Sequence, residues 1–226
     1  REWDRNKWQA RTAIYRSTDQ GETFSKYDTT TVNVNRMDIW APPYYSSDLF
    51  IMKRDTIFHL NSDGKIKNDE IFKANIPTNS FDNLRAVMLK GSVNENQTYL
   101  YSVLRTNDSL KSHFYFTSDL GKNWIKRGAL DINPFMINSF AVSQKHPNVV
   151  FYGGVELFRS YGEAASWEKV NKWGEYYGDP VNKLHADIPG VNIFYQPDRN
   201  KDELTFISTD GGLYKSEDYT INVENI

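Results

Sequence analysis

Phe114-Tyr115-Phe116-Thr117-Ser118-Asp119-Leu120-Gly121-Lys122-Asn123-Trp124 is the stretch on which the reading of this chain turns. A short apolar strand runs into Thr-x-Asp-x-Gly, and a tryptophan follows three residues after the glycine. In such a turn the aspartate carboxylate accepts bonds from nearby backbone N–H groups, and the hydroxyl does the same more weakly. The glycine supplies a positive φ without a Cβ clash. The aromatic then opens the returning strand and is expected to bury its ring between neighbouring sheets. One copy alone would be an ordinary hairpin turn, since Asp-Gly turns are common in β proteins.

The stretch is not alone. Ile14-Tyr15-Arg16-Ser17-Thr18-Asp19-Gln20-Gly21-Glu22-Thr23-Phe24 repeats it closely. A decayed copy, Leu157 to Trp167, keeps Ser160 and Trp167 but has Gly162 for the aspartate and Ala164 for the glycine. A further copy, Leu213 to Asp218, keeps Ser216 and Asp218 and then lacks the glycine. A weaker one, Ile57 to Gly64, holds Leu60 where the hydroxyl would be. Anchored at Ser17, Leu60, Thr117, Ser160 and Ser216, the copies lie 43, 57, 43 and 56 residues apart. That spacing, near ~50, is the length of one four-stranded propeller blade.

Upstream of each turn sits a second apolar strand. Asn148–Gly154 leads through Val155-Glu156 into Leu157, and Glu203–Thr209 leads through Asp210-Gly211-Gly212 into Leu213. Leu49–Lys53 leads through Arg54-Asp55 into Thr56, and Thr98–Leu104 leads through a polar loop into His113. Each pair reads as a hairpin. No helical period is sustained; the best candidate, Ser80 to Leu89, reads better as a strand over Asn83–Leu89.

Composition agrees. The chain has 226 residues, 27 Lys+Arg against 29 Asp+Glu, no cysteine and 15% aromatic residues, with pI near 6.1 and mean hydropathy −0.66. Many aromatics among many polar residues suit short half-buried strands and polar turns. The near-zero net charge removes the electrostatic case for a nucleic-acid partner. The lack of cysteine excludes a disulfide scaffold, a thiolate nucleophile and cysteine-based metal sites. No apolar run approaches the ~18 residues needed to span a bilayer. No charged-then-apolar leader opens the chain; Arg1 is not a natural start, so a removed segment stays open.

The boxes at Ser17–Phe24 and Thr117–Trp124 resemble the Asp-box, or bacterial neuraminidase, repeats of sialidases, xyloglucan-cleaving glycosidases, sortilin-type receptor domains and photosystem assembly propellers. The C-terminal part is more particular. Leu184-His185-Ala186-Asp187-Ile188, Phe194-Tyr195-Gln196-Pro197-Asp198 and Ser208-Thr209-Asp210-Gly211-Gly212-Leu213-Tyr214-Lys215-Ser216 resemble the H-x-D-x-H, F-x-P and T-D-G-G-hydrophobic-Y-x-S pattern of the sortilin-like and xyloglucanase-like branch. Ser143–Gly154 is similar to the inter-blade stretch of that branch. The resemblance covers most of 14–218 and is strongest after about 114; it implies a β-propeller and says much less about activity, because the boxes are structural turns on a fold that hosts unrelated functions. One departure matters. Pro189 replaces the second histidine, so that residue's role is not carried over and His185 and Asp187 lose a partner.

Glycosidases of this branch resemble one another in setting two carboxylates across a groove. Loop carboxylates here include Asp38, Asp48, Asp179 and Asp187, and no spacing pairs any two of them; a loop aspartate is far more often a turn former. A sialidase has less support still, since the arginines of that family's Arg-Ile-Pro strand have no counterpart, and Arg1, Arg5, Arg11 and Arg16 lie outside such a context. The four histidines, 59, 113, 146 and 185, are isolated, so no metal site is expected. No nucleophile elbow or phosphate-binding glycine loop is present, and no cofactor is expected. Two aromatic segments, Trp40 to Tyr45 and Trp173 to Pro180, fall between blades. Exposed aromatic platforms stack on sugar rings or anchor peptides, whereas the bland alternative makes them inter-blade wedges.

The expectation is therefore an all-β propeller of four-stranded antiparallel blades, an incomplete arc of about four to five blades over 1–226, cut at both ends. The missing blades would come from further chain or a neighbouring subunit. The leading function is a non-catalytic, secreted or cell-surface recognition or scaffold module, bacterial by composition, that binds a glycan or protein. The expected contacts are Trp40, Tyr44, Tyr45, Trp173, Tyr176, Tyr177 and His185. The alternative is a glycoside hydrolase on a β-glucan-type polysaccharide, with Asp38, Asp179 or Asp187 in a carboxylate pair completed outside this chain. The sequons Asn96-Gln97-Thr98 and Asn107-Asp108-Ser109 permit secretion.

Overall fold

The boxes fold as hydroxyl-centred turns. In the computed structural model, which describes residues 2–4, 9–30, 37–42, 48–54, 56–60, 66–73, 84–106, 111–196 and 203–226, four copies share one geometry. The Ser/Thr oxygen accepts the N–H of the residue four further on, from Gly21 (2.8 Å), Gly121 (3.0 Å), Ala164 (3.1 Å) and Thr220 (2.8 Å). The two residues that close each turn are left-handed: Gln20 and Gly21, Leu120 and Gly121, Glu163 and Ala164, Tyr219 and Thr220. Where the aspartate is kept, its carboxylate accepts the hydroxyl of Ser17, Thr117 or Ser216 and, at 2.9 Å, the N–H of Thr23, Asn123 or Asn222. Bonds from the side chain and N–H of Thr23, and from Ser17, hold Asp19 at a pKa of about 2.

The copy at Ser216 is thus a full turn although its glycine is gone. Thr220 takes the left-handed conformation at φ 70°, which a β-branched residue adopts only when its surroundings hold it there. Arg159 does so, donating to Thr220 Oγ1 at 3.1 Å and to the Tyr219 carbonyl. The turn of the Leu60 copy, 61–65, lies outside the described residues. Thr117 is buried, so Thr117→Val orphans the N–H groups of Asp119 and Gly121 at constant volume. Its expected cost is about 2 kcal/mol, read as a lowered urea midpoint at unchanged slope; a midpoint equal to wild type would contradict it.

Each turn joins the last two strands of a sheet that follows the chain as a simple antiparallel meander. The first sheet contains β1 (Glu2–Asp4), β2 (Gln9–Arg16) and β3 (Ser25–Thr30). The second contains β4 (Met37–Trp40), β5 (Leu49–Lys53), β6 (Thr56–Leu60) and β7 (Ile66–Lys73). The third contains β8 (Leu84–Asn94), β9 (Gln97–Thr106), β10 (Ser112–Thr117) and β11 (Ile125–Leu130). The fourth contains β12 (Phe140–Val142), β13 (Val150–Gly153), β14 (Leu157–Ser160) and β15 (Glu168–Lys169). The fifth contains β16 (Gly190–Tyr195), β17 (Glu203–Thr209), β18 (Gly212–Ser216) and β19 (Glu224–Asn225). The segment expected to be a strand rather than a helix is indeed β8.

The first strands of the four four-stranded sheets lie side by side, as the innermost strands of propeller blades do. Asp38 of β4 accepts the Leu89 N–H of β8 at 2.8 Å. Gln144, just past β12, reaches both neighbours. Its carbonyl accepts Val93 N–H and the Ser92 hydroxyl, while its side chain donates to the Ile193 carbonyl and accepts Tyr195 N–H. These strands line a cavity of about 260 Å³ bounded by Trp40, Lys90, Phe140 and Val191 among others.

Blade-to-blade packing follows a position rule. The residue three before each hydroxyl faces the next blade. Ile14 packs with Met37 and Ile51, Phe114 with Phe140 and Tyr152, and Leu157 with Val191 and Ile207. The residue seven after the hydroxyl faces the preceding blade: Trp124 packs on the core between blades two and three, Trp167 on that between three and four, and Val223 on that between four and five. Phe24 departs from the expected burial. It is 63% exposed, because among the described residues no sheet lies on that side of blade one.

Candidate functional site

In an antiparallel meander, alternate turns lie at opposite ends of the sheet. The boxes occupy one end of the blades, and the second-to-third-strand turns and blade-to-blade connections occupy the other. The 170–189 connection and the Asp210-Gly211 turn therefore share an end. Asn171, buried as blade four finishes, accepts the Leu157 N–H at 2.7 Å and donates to the Leu184 and His185 carbonyls, each at 3.4 Å. It pins both ends of the intervening loop to the blade.

Within that loop Trp173–Gly178 makes a 3-10 turn, opened by the Glu175 N–H to the Lys172 carbonyl and closed by the Asp179 N–H to the Tyr176 carbonyl. Trp173 is 54% and Tyr177 71% exposed. Their rings meet edge-on with centroids 6.1 Å apart, and Tyr176 sits 5.7 Å from Tyr177. Tyr176 is half-buried because its other side meets the His185 ring at 4.3 Å, interplanar angle 81°. His185 in turn is held by Asp210, with Nδ1 2.6 Å from the carboxylate. Nδ1 also lies 3.2 Å from the Ala186 carbonyl, so both neighbours are acceptors and place the proton on Nδ1. The pair needs Gly211, since a Cβ there would come within 2.5 Å of the imidazole. Beneath them burial raises the Tyr214 hydroxyl above its ordinary pKa.

The structure thus brings Trp173, Tyr176, Tyr177 and His185 together and adds Asp210 and Asn171. Sequence reading set Asp210 within a family pattern without giving it a role; the signal was its neighbour Gly211, whose bare Cα admits the imidazole. Histidine 185 has its partner in Asp210 rather than in the position Pro189 occupies. Trp40 is a different case. Its indole packs on the core between blades two and three and lies on Gly91, whose missing Cβ would meet the ring at 2.7 Å. It packs as a wedge between blades, with part of its surface left on the cavity among the first strands. Tyr44 and Tyr45 lie outside the described residues, as does the sequon at Asn107; Asn96 is exposed in the β8–β9 turn.

The carboxylates singled out from sequence differ in how the fold holds them. Asp38 is nearly buried and accepts the N–H groups of Leu89 and Ile39, each at 2.8 Å, and Lys90 Nζ at 3.3 Å. Burial raises its pKa, against the pull of Lys90 and these N–H bonds. Asp48 lies 3.2 Å from His59 Nε2, and that imidazole stacks on Phe50. Asp179 accepts the backbone and side-chain amides of Asn182. Asp187 is a turn residue at φ 58°, with its N–H donated to the Val155 carbonyl. No group of three or more His, Asp or Glu able to hold a metal occurs among the described residues, and no helix there is long and apolar enough to cross a membrane.

Five meandering sheets, four of them four-stranded, with adjacent first strands and repeated box turns make one architecture. The fold is a β-propeller. Among solved structures it is similar to the GH74 xyloglucanase from Xanthomonas campestris, with a TM-score of 0.54 and 13% identity over 83% of this chain and 30% of that one. A GH74 enzyme from Niastella koreensis aligns with a TM-score of 0.48 and 14% identity over 80% of this chain and 28% of that one. At such identity the likeness to the xyloglucanase shows the fold alone, and this chain spans about 30% of that enzyme's length. No protein-family model matches the sequence, and no curated protein matches it.

Proposed function

We propose that this chain is a non-catalytic recognition unit of a secreted or cell-surface bacterial propeller that binds a polysaccharide through the Trp173–Gly178 loop. One observation carries the reading: Trp173 and Tyr177 stand exposed on a short turn whose base is fastened by Asn171 and whose flank rests on the His185–Asp210 pair. Two rigid aromatic rings held in place lose little freedom on binding, which is what a stacking surface for sugar rings requires. The Asp38 carboxylate is held inside the fold by the N–H groups of Leu89 and Ile39 and by Lys90, which supports a binding role over a hydrolytic one. The fold's likeness to a xyloglucanase makes β-glucans, xyloglucan included, the natural probes.

Calorimetry against a panel of soluble polysaccharides tests this. Trp173→Ala and Tyr177→Ala are each expected to weaken binding about 10- to 30-fold, the usual loss for a central aromatic anchor. Both side chains are exposed, so the fold should be retained. Unchanged binding in the double variant would overturn the assignment. Release of reducing ends from any member of the panel would establish the hydrolase instead.

A further inference from the structure

His185 offers one ring nitrogen that the fold leaves open. Nδ1 lies against two acceptors, the Asp210 carboxylate at 2.6 Å and the Ala186 carbonyl at 3.2 Å. A neutral imidazole that donates from Nδ1 carries its lone pair on Nε2. Among the described residues nothing bonds Nε2, and it is not sealed off, since 19% of the side chain stays exposed. The ring itself cannot swing. Gly211 backs it so closely that a Cβ there would come within 2.5 Å, and Tyr176 meets it at 4.3 Å. From Tyr176 the aromatic series continues to Tyr177 at 5.7 Å and on to Trp173. A fixed hydrogen-bond acceptor thus stands on the flank of the exposed rings.

We infer that His185 Nε2 accepts a hydroxyl of a neutral polysaccharide lying on Trp173 and Tyr177, with Asp210 as the positioning residue that keeps the proton on Nδ1. The inference rests on the recognition reading above and adds the chemical class of the ligand: hydroxylated and uncharged. Stacking alone does not choose among sugars, because it reads only a ring face; a placed polar group supplies the choice. A lone pair beside a carboxylate welcomes an O–H donor and repels an anion. The surrounding segments lean the same way, with Glu175, Asp179, Asp187 and Asp210 against Lys172 and Lys183.

The first test needs no ligand. Nitrogen NMR of isotope-labelled histidines in the whole chain, at about pH 8 where imidazoles are ordinarily neutral, reads which ring nitrogen carries the proton. The His185 signals are those missing from His185→Phe. They are expected to show Nδ1 protonated and Nε2 bare, and Asp210→Ala should raise the share of Nε2–H. A proton on Nε2 in wild type overturns the inference and leaves the recognition reading standing; an unchanged tautomer in Asp210→Ala overturns the role of Asp210. The second test is calorimetry with hydroxyethyl cellulose, a neutral soluble β-glucan, beside carboxymethyl cellulose, which puts carboxylates on the same backbone. The neutral polymer is expected to bind at least ~10-fold more tightly, and His185→Phe, which keeps a ring against Tyr176, should weaken it about 10-fold. Wild-type affinity in His185→Phe where Trp173→Ala has lost binding overturns the acceptor alone. Equal affinity for the two polymers overturns the neutral class. Binding to neither polymer nor to xyloglucan overturns this inference together with the reading beneath it.

Discussion

Phe114→Ala is expected to remove about 4 kcal/mol of folding stability, the cost of deleting a large aromatic from a core that cannot close around the gap. The ring is fully buried, with centroids of Trp167 at 4.6 Å, Tyr152 at 5.0 Å and Phe140 at 6.1 Å. All three belong to blade four. Collapse into the cavity would require that whole blade to shift towards blade three, and the strands adjoining it are tied through Gln144 to blades three and five. For a chain of this size the loss corresponds to a melting point lower by roughly 10 °C. Phe114→Leu fills much of the volume and should cost less than half as much. A Phe114→Ala variant within about 1 kcal/mol of wild type would show that blades three and four are not packed through this ring.

Glu203→Gln is expected to cost about 3 kcal/mol although it changes one atom type. Glu203 is a buried carboxylate in blade five whose oxygens are both saturated. One accepts the N–H groups of Gln144 (2.6 Å) and Lys145 (3.1 Å), the other the hydroxyls of Ser143 and Tyr219 (the latter 3.0 Å). A glutamine must turn an NH₂ towards one of these donor pairs. The donors on that side lose a charged acceptor, the Ser143 and Tyr219 hydroxyls keeping a bond only by turning to accept one, and the tie between blades four and five weakens. Urea denaturation reads the loss. Paired with Tyr219→Phe, the double variant should be less destabilised than the sum of the singles, because both act on one network. Additive effects would place Tyr219 outside it.

Glu203 shows where sequence reading stops. Nothing near it in the chain marks it, and it stood in an ordinary strand segment. Three of the donors that make it a clamp lie 58 to 60 residues away and the fourth, Tyr219, 16. The boxes are the opposite case. Their bonds join residues two to four apart, so Ser17 and Asp19 or Thr117 and Asp119 carry the turn within themselves. Even there the glycine rule was too strict. Thr220 holds the left-handed position because Arg159, from the neighbouring blade, fastens it.

The candidate site divides in the same way. The aromatic loop and His185 were legible as residue types in inter-blade segments, but sequence alone could not separate platform from wedge. Trp40 and Trp173 look alike in the chain. One is partly covered because Gly91 of the adjoining strand admits its indole, and the other is exposed because its short turn stands clear of the blades. The turn of Phe114 to Trp124, its recurrence and the hairpins upstream were enough to specify an all-β repeat of blade length, because those features depend on hydrogen bonds and strand alternation within a few residues. Tertiary structure alone decided which aromatics are buried, that Asp38 and Glu203 are bonded inside the fold, and that His185 meets Asp210. Those outcomes rest on contacts between segments some 50 residues apart, whose meeting depends on how each blade is turned against the next.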